Sequence, residues 1–128
     1  CANKKISKIS FTGSTAVGKQ LVSQGAATLQ KFSLELGGNA PFIVREDANL
    51  DLASDELIVS KFRNAGQTCV CANRIFVNAS IFDNFLSVFL GKVEAIKTGC
   101  GFDADVQIGP LINHAAADRY EKIILDLN

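Results

Sequence analysis

Short runs of alternating apolar and polar residues, separated by longer stretches with a helical period, constrain this chain more than any other feature. Lys8-Ile9-Ser10-Phe11-Thr12 alternates and runs into Gly13, the pattern of a strand entering a turn. Ser14 or Thr15 supplies the cap of a helix over roughly 15–29, with Val17, Leu21, Val22, Ala26 and Leu29 as its apolar stripe. Gly18 and Gly25 weaken that helix by about 1 kcal/mol each relative to alanine. Phe32-Ser33-Leu34-Glu35-Leu36 alternates again, so Glu35 projects from the face opposite Phe32, Leu34 and Leu36, and Gly37-Gly38 stops the run. Pro41-Phe42-Ile43-Val44 reads as a further strand.

The second half has the same grammar. Leu50, Ala53, Leu57, Ile58, Lys61, Phe62 and Ala65 fall at helical spacing, with Asp47 or Asn49 as cap and Gly66 as the stop. Arg74 to Val77 fits a strand. Ser80-Ile81-Phe82-Asp83 has capping-box spacing, and Phe82, Phe85 and Phe89 form the core side of the helix that follows. Residues 99–110 read as a loop, after which Asn113 caps a last helix with Ala116, Tyr120, Ile123, Ile124 and Leu127 on its apolar side. Strands separated by helices in this order predict an α/β fold with parallel pairing, because parallel neighbours need a long crossover.

Composition narrows the function. Thirteen basic residues against thirteen acidic ones leave no net charge, which argues against a nucleic-acid partner. A hydrophobic share of 48% is enough to fill a core, yet no apolar run approaches the roughly 18 residues of a membrane span. The 128 residues suit one domain or pieces of two. Beginning at Cys1, lacking methionine and ending on an open helix, the sequence reads as processed or truncated. The cysteines Cys1, Cys69, Cys71 and Cys100 are too unevenly spaced for a disulfide framework, and one histidine is too few for a zinc site with two knuckles. Reduced thiols and a cytoplasmic setting are the expectation, although a removed transit peptide would leave no trace.

Three segments carry chemistry. Gly13-Ser14-Thr15-Ala16-Val17-Gly18 joins a strand to a helix, where free N–H groups and the helix dipole suit a phosphate; a simple tight turn explains the same residues. It is neither a G-x-G-x-x-G fingerprint nor a P-loop. Glu35 stands at a strand end before two glycines, where it is either a solvated carboxylate or a general base. Cys69, in Gly66-Gln67-Thr68-Cys69-Val70-Cys71, is either an exposed nucleophile or an inert thiol, and no neighbouring histidine suggests a protease.

Together, KISFTGSTAVGK, LELGGNAPFIV and KFRNAGQTCVCANR closely resemble the aldehyde dehydrogenase superfamily, and the last run is most similar to its succinate-semialdehyde dehydrogenase branch. The resemblance extends over essentially the whole chain, which looks like the middle of a longer enzyme. It implies the end of a Rossmann-like NAD(P)-binding domain over 1–37 joined to the start of an α/β catalytic domain over 38–128. It also implies Cys69 as nucleophile and Glu35 as general base. Gly13, Ser14 and Gly18 are implied at the cofactor pyrophosphate, and Leu36 and Gly37 at the nicotinamide end. Arg63 is implied to grip the distant carboxylate of the substrate, a role suited to a charged fork, with a solvated helix-face arginine as the alternative. Cys71 is implied as a redox partner of Cys69, with a buried neighbour of no redox role as the alternative. The implied reaction is NAD- or NADP-dependent oxidation of succinate semialdehyde to succinate through a thiohemiacetal and a thioester. Glutarate semialdehyde or another aldehyde, or an inactive nucleotide-binding fragment, are the alternatives. The parent is expected to be a homodimer or homotetramer with a small-molecule aldehyde substrate and no metal. The isolated segment is expected to be inactive.

Overall fold

Two pairs of parallel strands, each closed by a helical crossover, organise the chain, and the computed structural model describes residues 1–127. The pairs lie in two compact units, Cys1–Gly38 and Asn39–Asn128. The expected α/β class with parallel pairing is the one observed.

In the first unit, β1 (Lys8–Gly13) runs parallel to β2 (Lys31–Leu36), and α1 (Thr15–Gly25) with a 3-10 turn at Ala26–Thr28 connects them. The register pairs Ile9 with Phe32, Phe11 with Leu34 and Gly13 with Leu36. Alternation therefore gathers these residues on one half-buried face, while Lys8, Ser10, Thr12, Lys31, Ser33 and Glu35 share the exposed one. The apolar stripe expected on α1 is not what packs. Val17 and Val22 are exposed, and the buried residues of the helix are Gly18 and Gly25. A Cβ on Gly18 would lie 2.9 Å from Leu36 Cδ2, and one on Gly25 would strike the Phe32 ring and sit 2.8 Å from Gln30 Oε1. The glycines that weaken the isolated helix are what let it approach β2. Buried Gln30 fastens the preceding segment, its Nε2 donating to Cys1 O (3.1 Å) and Ile6 O (2.9 Å).

In the second unit, β3 (Ala40–Val44) and β4 (Ala72–Val77) are parallel neighbours bridged by α2 (Leu50–Phe62). Next come α3 (Phe82–Glu94) and α4 (His114–Asp126). Asn49 caps α2, its Oδ1 accepting from Leu52 N at 3.0 Å, and Asn113 caps α4 in the same way through Ala116 N. The core is Val44, Leu57, Ala72 and Phe85, with Phe42, Leu50, Ala53, Val77 and Phe89 packed around it. Each large side chain fully buried there contributes about 1.5–3 kcal/mol. Lys92 on α3 reaches back to α2, donating to Asp51 O (2.9 Å) and Asp55 Oδ1 (2.5 Å).

Three expectations are corrected. Helix α2 stops at Phe62 rather than continuing to Ala65, because Asn64 and Ala65 turn left-handed. The Ser80 capping box does not form: Ser80 donates through both N and Oγ to Asn78 Oδ1 at 2.9 Å, and Ile81 starts α3 with no side-chain cap. Phe82 is 46% exposed, leaving Phe85 and Phe89 as the packed pair with ring centroids 5.9 Å apart, and no residue of α4 is buried.

The two buried glycines of α1 respond differently to alanine. At Gly18 the new methyl meets only the ends of the flexible Leu36 side chain, so the helix-propensity gain of about 1 kcal/mol roughly offsets the crowding. At Gly25 the rigid Phe32 ring must shift, and Gly25→Ala lowers stability by about 1–3 kcal/mol. Urea unfolding followed by circular dichroism checks the contrast; equal midpoints for both variants would contradict it.

Candidate active site

The junction of β1 and α1, where a cofactor turn is expected, lies at the carboxyl end of the β1–β2 pair. Gly13 closes β1 opposite Leu36 of β2, and Ser14 caps α1 with its Oγ accepting from Val17 N at 3.3 Å. The first turn of α1 holds no acidic residue, and Ser14, Thr15 and Ala16 are exposed. Leading N–H groups at the positive end of a helix are thus open to an anion, which fits a dinucleotide pyrophosphate. Gly18 lies one turn in, against the Leu36 side chain. The Leu36 side chain therefore packs on α1, and Gly37 beyond it is exposed with open space around it. Glu35 pairs in register with Thr12 and is exposed.

Arg63, Cys69 and Cys71 belong to a single connection in the second unit, between α2 and β4. It starts with three consecutive positive φ values: Asn64 at 53°, Ala65 at 56° and Gly66 at 73°. Glycine adopts this region freely and asparagine tolerates it, but Ala65 pays about 1–2 kcal/mol for the Cβ clash. Arg63 leaves the helix with φ −50° and ψ 126°, so it is not the helix-face arginine that a continued α2 would make it. It is exposed, makes no salt bridge among the described residues, and lines a cleft of about 190 Å³ with Phe62, Ile96, Gln107 and Ile108.

The two cysteines differ sharply. Cys69 is exposed, whereas Cys71 is fully buried, its Sγ donating to Lys61 O at 3.1 Å. Lys61 O is one of the carbonyls left without an intrahelical partner at the end of α2, and the thiol satisfies it. A Cβ on Gly66 would lie 3.1 Å from that same oxygen, so the turn needs glycine for space as well as for φ. All four cysteines are free. Pairing Cys71 with Cys69 would require its thiol to leave Lys61 O.

Residues beyond those foreseen complete the loop. Gln67 N and Nε2 both donate to Asn64 O at 3.1 Å, Asn64 Nδ2 donates to Gln67 O at 3.3 Å, and Gln67 Oε1 accepts from Ile112 N at 2.9 Å. Gln67 stood inside the quoted motif, but a partner 45 residues away leaves no local signal in sequence. No group of three metal-ligating side chains occurs among the described residues, and no described helix is long and apolar enough to cross a membrane.

This parallel α/β architecture is that of the aldehyde dehydrogenases. The chain matches the aldehyde dehydrogenase family over residues 1–128 and belongs to it. It is 53% identical over 124 residues to succinate-semialdehyde dehydrogenase [NADP(+)] 1 of Schizosaccharomyces pombe, covering 97% of this chain and 25% of the relative. It is 51% identical over 121 residues to a 3-sulfolactaldehyde dehydrogenase of Pseudomonas putida, covering 94% and 25%. The crystal structure of succinate-semialdehyde dehydrogenase from Burkholderia pseudomallei superposes with a TM-score of 0.94 at 50% identity, over 98% of this chain and 26% of that one. The chain thus spans about a quarter of the length of these relatives.

Exposure alone separates the thiols toward a small alkylating reagent. Iodoacetamide is expected to label Cys69 and Cys100 at least about tenfold faster than Cys71, since access controls thiol chemistry at equal nucleophilicity. Peptide-resolved mass spectrometry measures this; rapid labelling of Cys71 would mean that the Lys61 anchor does not hold in solution.

Proposed function

We propose that this segment carries the nucleophile and the general base of an NAD- or NADP-dependent succinate-semialdehyde dehydrogenase. It would be the end of the cofactor domain (1–37) and the start of the catalytic domain (38–128) of a chain of its relatives' length. The observation that carries the reading is the exposed Cys69 beside the buried, anchored Cys71, in a chain half identical to succinate-semialdehyde dehydrogenases.

In this reading Cys69 Sγ, as thiolate, bonds to the aldehyde carbon while negative charge moves onto the carbonyl oxygen, and the Cys69 N–H donates to that oxyanion. Gly13 and Ser14 would hold the pyrophosphate at the start of α1, with Leu36 and Gly37 backbone toward the nicotinamide end; Gly18, buried and with its N–H donating to Ser14 O, serves instead by letting the helix lie on Leu36. The bound dinucleotide supplies the hydride acceptor. Cys69 keeps the acyl group as a thioester. Glu35 takes a proton from water, whose oxygen attacks the thioester carbon, releasing the carboxylate and restoring the thiolate. Arg63 binds the substrate's far carboxylate, a charge-assisted contact worth about 1.5–3 kcal/mol. A reducing compartment such as the cytoplasm would keep Cys69 available as a thiolate.

Near-equal identity to a 3-sulfolactaldehyde dehydrogenase supports a second reading, in which the far anion is a sulfonate. Arg63 serves either group, so comparison of kcat/KM for the two aldehydes decides between them.

Two variants, made in a chain of the relatives' length, test the assignments. Cys69→Ala removes the bond-forming atom, and dehydrogenation should fall at least about a thousandfold while dinucleotide binding persists. Retained turnover would end the nucleophile assignment. Arg63→Leu should raise KM for succinate semialdehyde about 10–100-fold and leave an uncharged aldehyde nearly unaffected. An equal effect on both substrates would make Arg63 structural.

A further inference from the structure

The mechanism leaves Gln67 without a task, yet this residue makes four hydrogen bonds across the loop that delivers Cys69. Its N and Nε2 converge on Asn64 O, its own carbonyl receives Asn64 Nδ2, and its Oε1 receives Ile112 N. The first three form a reciprocal clasp spanning Ala65 and Gly66, both left-handed. The fourth ties the clasp to the segment leading into α4. On the far side of Cys69, Cys71 N donates to Thr68 O at 3.3 Å and Cys71 Sγ is anchored on Lys61 O. Cys69 and Val70 are therefore an exposed pair held between two fastened points.

We propose that Gln67 is a positioning residue for Cys69: its clasp on Asn64 and its bond to Ile112 hold the left-handed turn from which the Cys69 backbone departs. The catalytic consequence rests on the reading of Cys69 as nucleophile; the structural one does not. Ala65 is the reason a clasp is needed. A non-glycine residue at φ 56° relaxes toward an ordinary conformation once its restraints are lost. Relaxation there would shift both Cys69 and the Cys71 anchor, because the same few residues carry all three.

The test measures iodoacetamide labelling of each cysteine in the 128-residue chain, with folding followed by circular dichroism. Gln67→Ala, which removes the side-chain bonds, should raise the Cys71 labelling rate at least tenfold without loss of helix signal. Gln67→Glu keeps the acceptor for Ile112 N but sets a carboxylate oxygen against Asn64 O, and should raise the rate at least threefold. This variant decides the matter if the alanine variant does not fold. Adding Ala65→Gly to either should restore the rate to within threefold of the parent, because glycine takes a positive φ without the Cβ strain that drives the relaxation. Wild-type rates in both Gln67 variants, or no rescue by glycine, would overturn the clasp. In a chain of the relatives' length, Gln67→Ala should lower kcat at least tenfold with KM within threefold, again rescued by Ala65→Gly. Unchanged kcat beside raised Cys71 labelling would overturn the positioning role. Failure of the nucleophile reading is distinguishable: Cys69→Ala would then keep its turnover whatever the Gln67 variants do.

Discussion

Parallel strand pairing is the constraint on which the rest of this structure depends. Two parallel neighbours cannot be joined by a hairpin, so each pair must spend a helix on its crossover. In the first unit that requirement places the start of α1 directly after β1, at the end where β2 delivers Glu35, Leu36 and Gly37. In the second it brings the chain from the end of α2 back to the start of β4, and the cysteine loop is that return. The chemically interesting residues lie at the junctions the crossovers create, where backbone groups are free and side chains project past the sheet.

Helix packing then decides how closely each helix lies on its own strand pair. In the first unit the decisive contacts are absences: Gly18 and Gly25 leave room for Leu36 and Phe32. In the second the decisive contact is a filled space, with Leu57 fully buried among Val44, Ala72 and Phe85. The structure buries little beyond that. Ile43 and Phe76, paired in register on one sheet face, remain 69% and 53% exposed, and Ile124, Leu125 and Leu127 near the chain end exceed half exposure. Parallel sheets are usually covered on both faces, and a chain spanning a quarter of its relatives' length leaves such surfaces open.

The order of elements was legible because alternation and helical spacing are local signals. Lys8–Gly13 and Lys31–Leu36 fall where period-two runs predicted strands, Ala40–Val44 where a short apolar run did, and Ser14, Asn49 and Asn113 cap the helices they precede. Ends set by tertiary contact were not legible. Nothing local in Phe62-Arg63-Asn64-Ala65 announces that the helix stops at Phe62, since Ala65 is a strong helix former forced into a left-handed turn. Ser80 has the spacing of a cap, but Asn78 offers a better acceptor and takes both of its donors. The spacing of Phe82 matched a core face, yet only Phe85 and Phe89 reach one.

The amino-acid sequence by itself determined the α/β class, the motifs that mark the aldehyde dehydrogenases, and the residue types available for nucleophile, base, cofactor turn and anion contact. Those rest on periodicity and on short contiguous strings, which need no knowledge of what lies across space. Only the tertiary structure decided which cysteine is open and which is fastened, and that Arg63 stands outside its helix. It alone showed that Gln67 reaches Ile112 and that two helix glycines serve as contact surfaces. Each of these depends on burial or on a hydrogen bond between residues distant in sequence, and such interactions come into being only when the chain has folded.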